Sequence, residues 1–340
     1  MEFLSNNFIS EFFVWCLNGL DSLFLNYAAA IITLTIIIRL ALLPIDLYQR
    51  RNQSRMAALG PELQSLQKRY KNNPQQIQRK QRELYRKMNV RPMFGCVQSL
   101  IQLPIWFAFF GAMRVLASEQ TVGMILDAAQ NGASTIDLPN FFWVKNFWQP
   151  DNGFSGILPT AEEFLGFVQS YSSYISPQAL ALLQDHDILS FANDTMWIAG
   201  DGATYNALKQ GIIEANGVQY VLGQNGVMQP EFNNGWFILP AMAGVSLFLQ
   251  QKFAPAASNA AAATPMMAGA DPNAAATTQQ TSKMMMYFMP IFSVIICLTS
   301  NAAFALYWTV SSLYAFAQMR VVGLIKNVRE KKKVKEIVIE

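Results

Sequence analysis

The chain has 340 residues, 52% of them hydrophobic and only 14% charged, with a formal net charge of +3. A soluble domain of this length carries about a quarter charged residues, so an ordinary soluble globule is excluded and a membrane protein expected. The chain shows no serine or cysteine nucleophile motif, no paired carboxylates inside an apolar helix and no phosphate-binding glycine loop, which argues against an enzyme. Cys16, Cys96 and Cys297 lack metal or redox spacing, and His186 sits in a polar stretch, so no cofactor and no metal are expected.

In chain order, residues 1–27 come first. Phe8, Phe12, Trp15 and Leu23 are interrupted by Glu11, Asn18 and Asp21, which favours an amphipathic helix on the outer membrane surface over a further span. There is no basic leader and no small-residue cleavage site, so no signal peptide is expected. Residues 28–48 form the first predicted span, about as long as a bilayer core requires. Arg39 lies within it, where a charge costs roughly 2.5–3.5 kcal/mol on insertion scales.

Residues 49–92 hold twelve Lys/Arg against Glu62 and Glu83. Met56, Leu59, Leu63, Leu66 and Tyr70 recur at helical spacing, "KNNPQQ" at Lys71–Gln76 breaks the pattern, and Ile77, Leu84, Tyr85 and Met88 resume it. This predicts a cytoplasmic helical hairpin. Its basic residues Arg50, Arg51, Arg55, Lys68, Arg69, Lys71, Arg79, Lys80, Arg82, Arg86 and Lys87 would meet anionic lipid headgroups, with ribosomal RNA as the alternative partner.

Further spans are predicted at 93–118, 236–253, 284–298 and 302–325, giving five. The fourth and fifth are joined only by Thr299, Ser300 and Asn301, a tight hairpin. Residues 119–235 form an outer loop with a large polar insertion at about 152–234, including short helical pieces at Ala161–Ser170 and Pro177–Gln184. Residues 254–283 are Ala-rich and broken by Pro and Gly, and are expected to be a flexible cytoplasmic linker. Residues 326–340 are a basic tail.

Charge sets the orientation. The first 38 residues carry no Lys/Arg; Glu119–Gly235 carries Lys145 and Lys209 against twelve acids; Arg320–Glu340 carries seven Lys/Arg. The positive-inside rule places the N-terminus outside and the C-terminus in the cytoplasm, as an odd number of spans demands.

Three predicted spans carry polar stripes at helical spacing. These are Thr35 and Arg39; Gln98 and Gln102; and Trp308, Ser311, Ser312, Ala315 and Gln318. Hydrogen bonding between helices accounts for any one of these taken singly. Arg39 differs, because no acid lies in the core of a span and Asp46 is about 10 Å farther along the helix axis. Tyr48 is about 13 Å away along the same axis, too far for the side chain to reach the interface. A water-filled groove open to the cytoplasm follows, whose cation would attract an arriving acidic group. A transporter or channel for a small anion is the alternative, though the two halves lack the internal repeat such folds usually show. A passive assembly scaffold is a third reading.

The stretches "IIIRLALLPIDLYQ", "MAALGPELQSLQKRYKNNP", "CVQSLIQLPIWFAFFGAM", "NFFWVKNFWQPD", "ILPAMAGVSLFLQQKF", "KMMMYFMPIF" and "FALYWTVSSLYAFAQ" carry a resemblance. They cover the five spans and the hairpin, in order. The chain resembles the YidC insertase family, which includes the mitochondrial oxidase-assembly and thylakoid insertases. The resemblance implies an all-α protein of the plasma (inner) membrane that inserts nascent membrane proteins and assists their folding. It acts alone or with the Sec translocon, with the ribosome and signal-recognition machinery as further partners and no DNA. The resemblance puts Arg39 in a hydrophilic groove open to cytoplasm and lipid, joined by Gln102 and Trp308, and makes the hairpin a mobile receiver of substrate. Asn301-Ala302-Ala303 and Ser312 depart from the family's usual residues, and 152–234 separates motifs that usually lie close together. The large periplasmic domain of Gram-negative relatives does not precede the core, which points to a Gram-positive-like or organelle-like plan.

Overall fold

A computed structural model describes residues 8–71, 73–91, 94–192, 195–218, 220–222, 228–230, 234–253 and 274–339. Helix α1 spans Phe8–Phe24 and α2 spans Tyr27–Ala58; two short helices follow, α3 at Gly60–Arg69 and α4 at Pro74–Lys87, before the long α5 at Phe94–Asn131. The segment expected to lie outside, the outer segment, holds α6 (Ala161–Tyr171), α7 (Pro177–Asp185), strands β1 (Leu189–Ala192) and β2 (Thr195–Ile198), α8 (Ala203–Ala215), and strands β3 (Tyr220–Leu222) and β4 (Met228–Pro230). Then come α9 (Ile238–Phe253), α10 (Ala274–Thr299) and α11 (Ala302–Ile339). Among the described residues two stretches are long and apolar enough to cross a bilayer, Tyr27–Met56 and Ile101–Asn131, and Met286–Thr299 is a shorter apolar helix.

Several boundaries move from their expected places. No Gly or Pro falls between Tyr48 and Ala58, so α2 runs on as one helix for about 48 Å and the two short arms begin only at Gly60-Pro61. Asn73 caps α4 by accepting from Gln76 N–H at 3.1 Å, with Pro74 in the first turn, where its missing N–H is harmless. Helix α10 starts at Ala274, so 274–283 of the expected linker is helical. Past Pro272 the run of Ala, Thr and Gln contains no breaker. The expected linker residues 254–273 lie outside the described residues.

The chain is mostly helical, as expected of an all-α membrane protein, and two short β-hairpins are added within 189–230. β1 and β2 pair antiparallel from Leu189↔Ile198 to Ala192↔Thr195, and β3 pairs with β4 from Tyr220↔Pro230 to Leu222↔Met228. Strands of three or four residues are too short to print a readable alternation in a sequence.

The chain divides into two compact units. The first draws on Met1–Ile32, Ile105–Ala241 and Ile295–Trp308. Its main core joins Val122, Ile125 and Ala128 of α5 to Phe164, Val168, Leu183, Tyr205 and Ile212 of the outer segment. The far end of α5 is therefore the central pillar of the outer segment. Thr160 and Glu163 close α6 with a capping box. The Tyr205 hydroxyl and Lys209 Nζ both donate to the Pro159 carbonyl at 2.9 Å. Burial pushes the Tyr205 phenol well above its ordinary value and draws the Lys209 ammonium below its own. In the same unit α1 buries Ser10, Phe13 and Leu17 and exposes Phe8, Phe12 and Trp15. Ser10 Oγ donates to Ala108 O at 3.1 Å and Phe13 packs on Phe109, so α1 is fastened to α5 along one face.

The second unit draws on Thr33–Pro104, Met242–Val294 and Thr309–Glu340. Gly244 of α9 leaves no room for a Cβ against Val294 of α10, the close approach that small residues permit between apolar helices. Arms α3 and α4 pack on each other. At their base Asn52 Nδ2 donates to Arg91 O at 2.8 Å while Arg91 N–H donates to Asn52 Oδ1 at 3.1 Å, beside the buried Leu59 and Val90.

Candidate functional site

In the second unit, α2 and α11 bring polar groups together inside apolar helices. Arg39 is half-buried and directs its guanidinium at Ser311 of α11, 272 residues away in sequence, with Nε donating to the hydroxyl oxygen at 2.9 Å and Nη2 donating to it as well. One hydroxyl occupies only part of a guanidinium that carries five donors. Thr35 lies one turn before Arg39 and is buried, as are Ser312 and Gln318 of α11. Gln102 is half-buried on α5, and the Gln98 side chain lies outside the described residues.

Asp46 changes the charge balance. Sequence spacing alone put it too far along the helix to matter. In the structure this buried carboxylate lies within electrostatic reach of both Arg39 and Arg50, with the Gln318 amide beside it. Among the described residues Arg39, Arg50 and Asp46 thus lie within electrostatic reach of one another, and Arg39 does not stand alone. Arg50 is turned inward, its Nη2 donating to Ala315 O of α11 at 3.2 Å, so it is set apart from the basic surface to which spacing assigned it. The other named cations, Arg51, Arg55, Lys68, Arg69, Lys71, Arg79, Lys80, Arg82, Arg86 and Lys87, are exposed. Among them Arg79 and Lys80 pair with Glu83 at 3.3 and 2.7 Å, and the hydrogen bond from Lys80 holds the Glu83 carboxyl below the usual range.

Trp308 belongs to the first unit, where it stands edge-on to Trp106 at 5.6 Å and to Phe304 at 5.7 Å. Arg114, another cation within the predicted spans that sequence reasoning passed over, lies with its guanidinium 5.3 Å from the Phe110 ring.

The other polar concentration, also in the first unit, was not foreseen. Asp151 is fully buried and accepts from Trp143 Nε1 at 3.0 Å, Trp236 N–H at 2.8 Å and Leu239 N–H at 2.7 Å, so its charge sits at the N-terminus of α9. Asn152 Nδ2 donates to Leu298 O near the end of α10 at 2.7 Å. Ala302 and Ala303 N–H, opening α11, donate to Gln149 O and Phe147 O. Asn301 donates to Met113 O of α5 and caps α11 through Phe304 N–H. Asn234 locks onto Asn146 and Pro150. The stretch "NFFWVKNFWQPD" thus ties together the starts of α9 and α11, and Asn152 and Asn301 add the end of α10 and the middle of α5. A buried acid flanked by Asn and Gln, between two helices, was the available signal.

The profile of the family described as 60Kd inner membrane protein matches residues 19–198 and 202–330. The chain is similar to the membrane protein insertase YidC of Clostridium perfringens, 38% identical over 134 residues that make up 39% of this chain and 48% of that protein. It is 40% identical over 108 residues to the protein so named in Fusobacterium nucleatum (32% of this chain, 53% of that one). With that of Clostridium tetani it shares 34% over 150 residues (43% and 60%). The chain spans about half the length of these relatives.

Proposed function

The chain belongs to the 60Kd inner membrane protein family, the YidC insertases, and from that membership we propose that it moves apolar segments of nascent proteins from the cytoplasm into the bilayer through a polar groove centred on Arg39. The supporting observation is the Arg39 guanidinium itself, held inside an apolar helix by Ser311 with Arg50 and Asp46 close by. The positive charge of Arg39 draws an acidic outer tail of the substrate toward the groove. Groove water and the hydroxyls of Thr35, Ser311 and Ser312 lower the penalty of bringing polar residues part-way across. Burial of the substrate's apolar segment in lipid, at about 25 cal/mol per Å², then drives its release, and no nucleotide is consumed. Exposed cations of α3 and α4 hold anionic headgroups or the ribosome near the groove. The five-span arrangement with the N-terminus outside, cooperation with Sec and assistance in folding belong to the same reading.

The test is insertion of single-span substrates into proteoliposomes. Arg39→Ala lowers insertion of acidic-tailed substrates roughly tenfold, equivalent to about 1.4 kcal/mol, while Arg39→Lys retains most of it and neutral-tailed substrates change little. Wild-type insertion of every acidic-tailed substrate by Arg39→Ala overturns the electrostatic pull.

A further inference from the structure

Phe142 is 85% exposed, Phe154 86% and Trp236 65%. These rings are displayed by construction, not left over. Phe142 and its counterpart Phe237 adopt left-handed backbone, with φ of 51° and 63°, which L side chains adopt only at a cost. Phe142 stacks on Trp143, whose indole donates to Asp151; Trp236 N–H donates to the same carboxylate; Phe154 N–H donates to Asn152 Oδ1 at 2.9 Å, and the Phe154 ring stands edge-on to Phe237. All three exposed rings are thus bonded into, or adjacent to a residue bonded into, the single polar knot around Asp151 and Asn152. The same knot holds Leu239 N–H, one residue into α9.

Charge is segregated around them. Residues 119–235 carry twelve acids, yet 140–144, 152–157 and 234–239 contain no charged side chain, only aromatic, aliphatic, Asn, Gly and Ser residues. A cluster of bare aromatics whose one carboxylate, Asp151, is buried, at the start of an apolar helix, has the chemistry of a membrane–water boundary, where amphipathic rings concentrate.

We propose that Phe142, Phe154 and Trp236 form an aromatic foot that seats in the headgroup layer around the start of α9, with the lipid surface as its partner. The proposal rests on the reading of α9 as a membrane span. Asp151 is the positioning residue, since its two oxygens fix Trp143, beside Phe142, and Trp236 relative to the helix start, while the neighbouring Asn152 holds Phe154.

The experiment places an environment-sensitive NBD probe on single cysteines at 142, 154 and 236, in the full chain lacking Cys16, Cys96 and Cys297, in liposomes of zwitterionic and anionic lipid without substrate. The expected result is blue-shifted emission, loss of iodide quenching, and quenching by shallow nitroxide lipids at all three positions. A probe at Asp185 should stay aqueous. A probe at Val245, on α9, separates the two readings: aqueous there sinks the span, whereas buried there with an aqueous foot sinks this proposal alone. A foot that is aqueous in empty liposomes and shielded only when a substrate is added assigns the rings to polypeptide and overturns the lipid assignment.

Discussion

Asp151 and Arg39 are both charges within apolar surroundings, and they are satisfied in different ways. Asp151 receives two backbone N–H groups and one indole N–H, so its oxygens are engaged and its role is to hold structure. Arg39 hydrogen-bonds the Ser311 hydroxyl, which engages only part of its five donors, and lies in the field of Asp46. The contrast predicts different losses. Asp151→Asn keeps the shape but presents one acceptor oxygen and no charge, leaving at least one buried N–H without a partner. Given about 1.5–3 kcal/mol for a charge-assisted bond, it lowers stability by about 2–3 kcal/mol. Thermal unfolding in detergent micelles checks it, with Ser311→Ala as the comparison that should lose much less. An unchanged unfolding midpoint for Asp151→Asn would refute the organising role.

At the scale of elements, the long helices outrun their predicted limits because nothing in the chain stops them. Helix α5 continues past Ser118 to Asn131, and its far end supplies Val122 and Ile125 to the core of the outer segment. That core contains the Tyr205–Pro159 hydrogen bond. Tyr205 keeps its proton in the folded chain at pH values where the unfolded chain, with an ordinary value of 10.0, has lost it. The folded state then binds more protons, so stability falls as pH rises above about 10. Lys209 works the other way, gaining stability as pH rises toward its ordinary 10.5. Tyr205→Phe therefore has two signatures: a loss of about 1 kcal/mol near neutral pH from the missing bond, and a shallower decline above pH 10 than the parent. Denaturant titrations across that range measure both. Parallel profiles would show that the phenol does not govern the alkaline limb.

For the whole molecule, the distribution of charge is a statement about sidedness. Residues 50–91 are strongly basic, and 119–235 strongly acidic. Cysteine in place of Asp185 is expected to react with an impermeant maleimide on intact cells, and cysteine in place of Lys87 only after permeabilisation. The reverse pattern would invert the topology. Membrane class, family membership and the oddity of Arg39 were all legible in the chain, because apolar length, charge segregation and short motifs are properties of neighbouring residues and survive without a fold. The expected placing of the basic residues was coarser: Arg50 follows the same spacing as its neighbours, yet only the packing of α2 on α11 turns it to the Ala315 carbonyl. Likewise tertiary structure alone decided that Arg39 reaches Ser311, that Asp46 shares its field, and that Asp151 holds the start of a helix 88 residues further along the chain. Such bonds follow from which buried donors and acceptors are brought face to face. Burial requires that they be satisfied, but no periodicity along the chain records with whom.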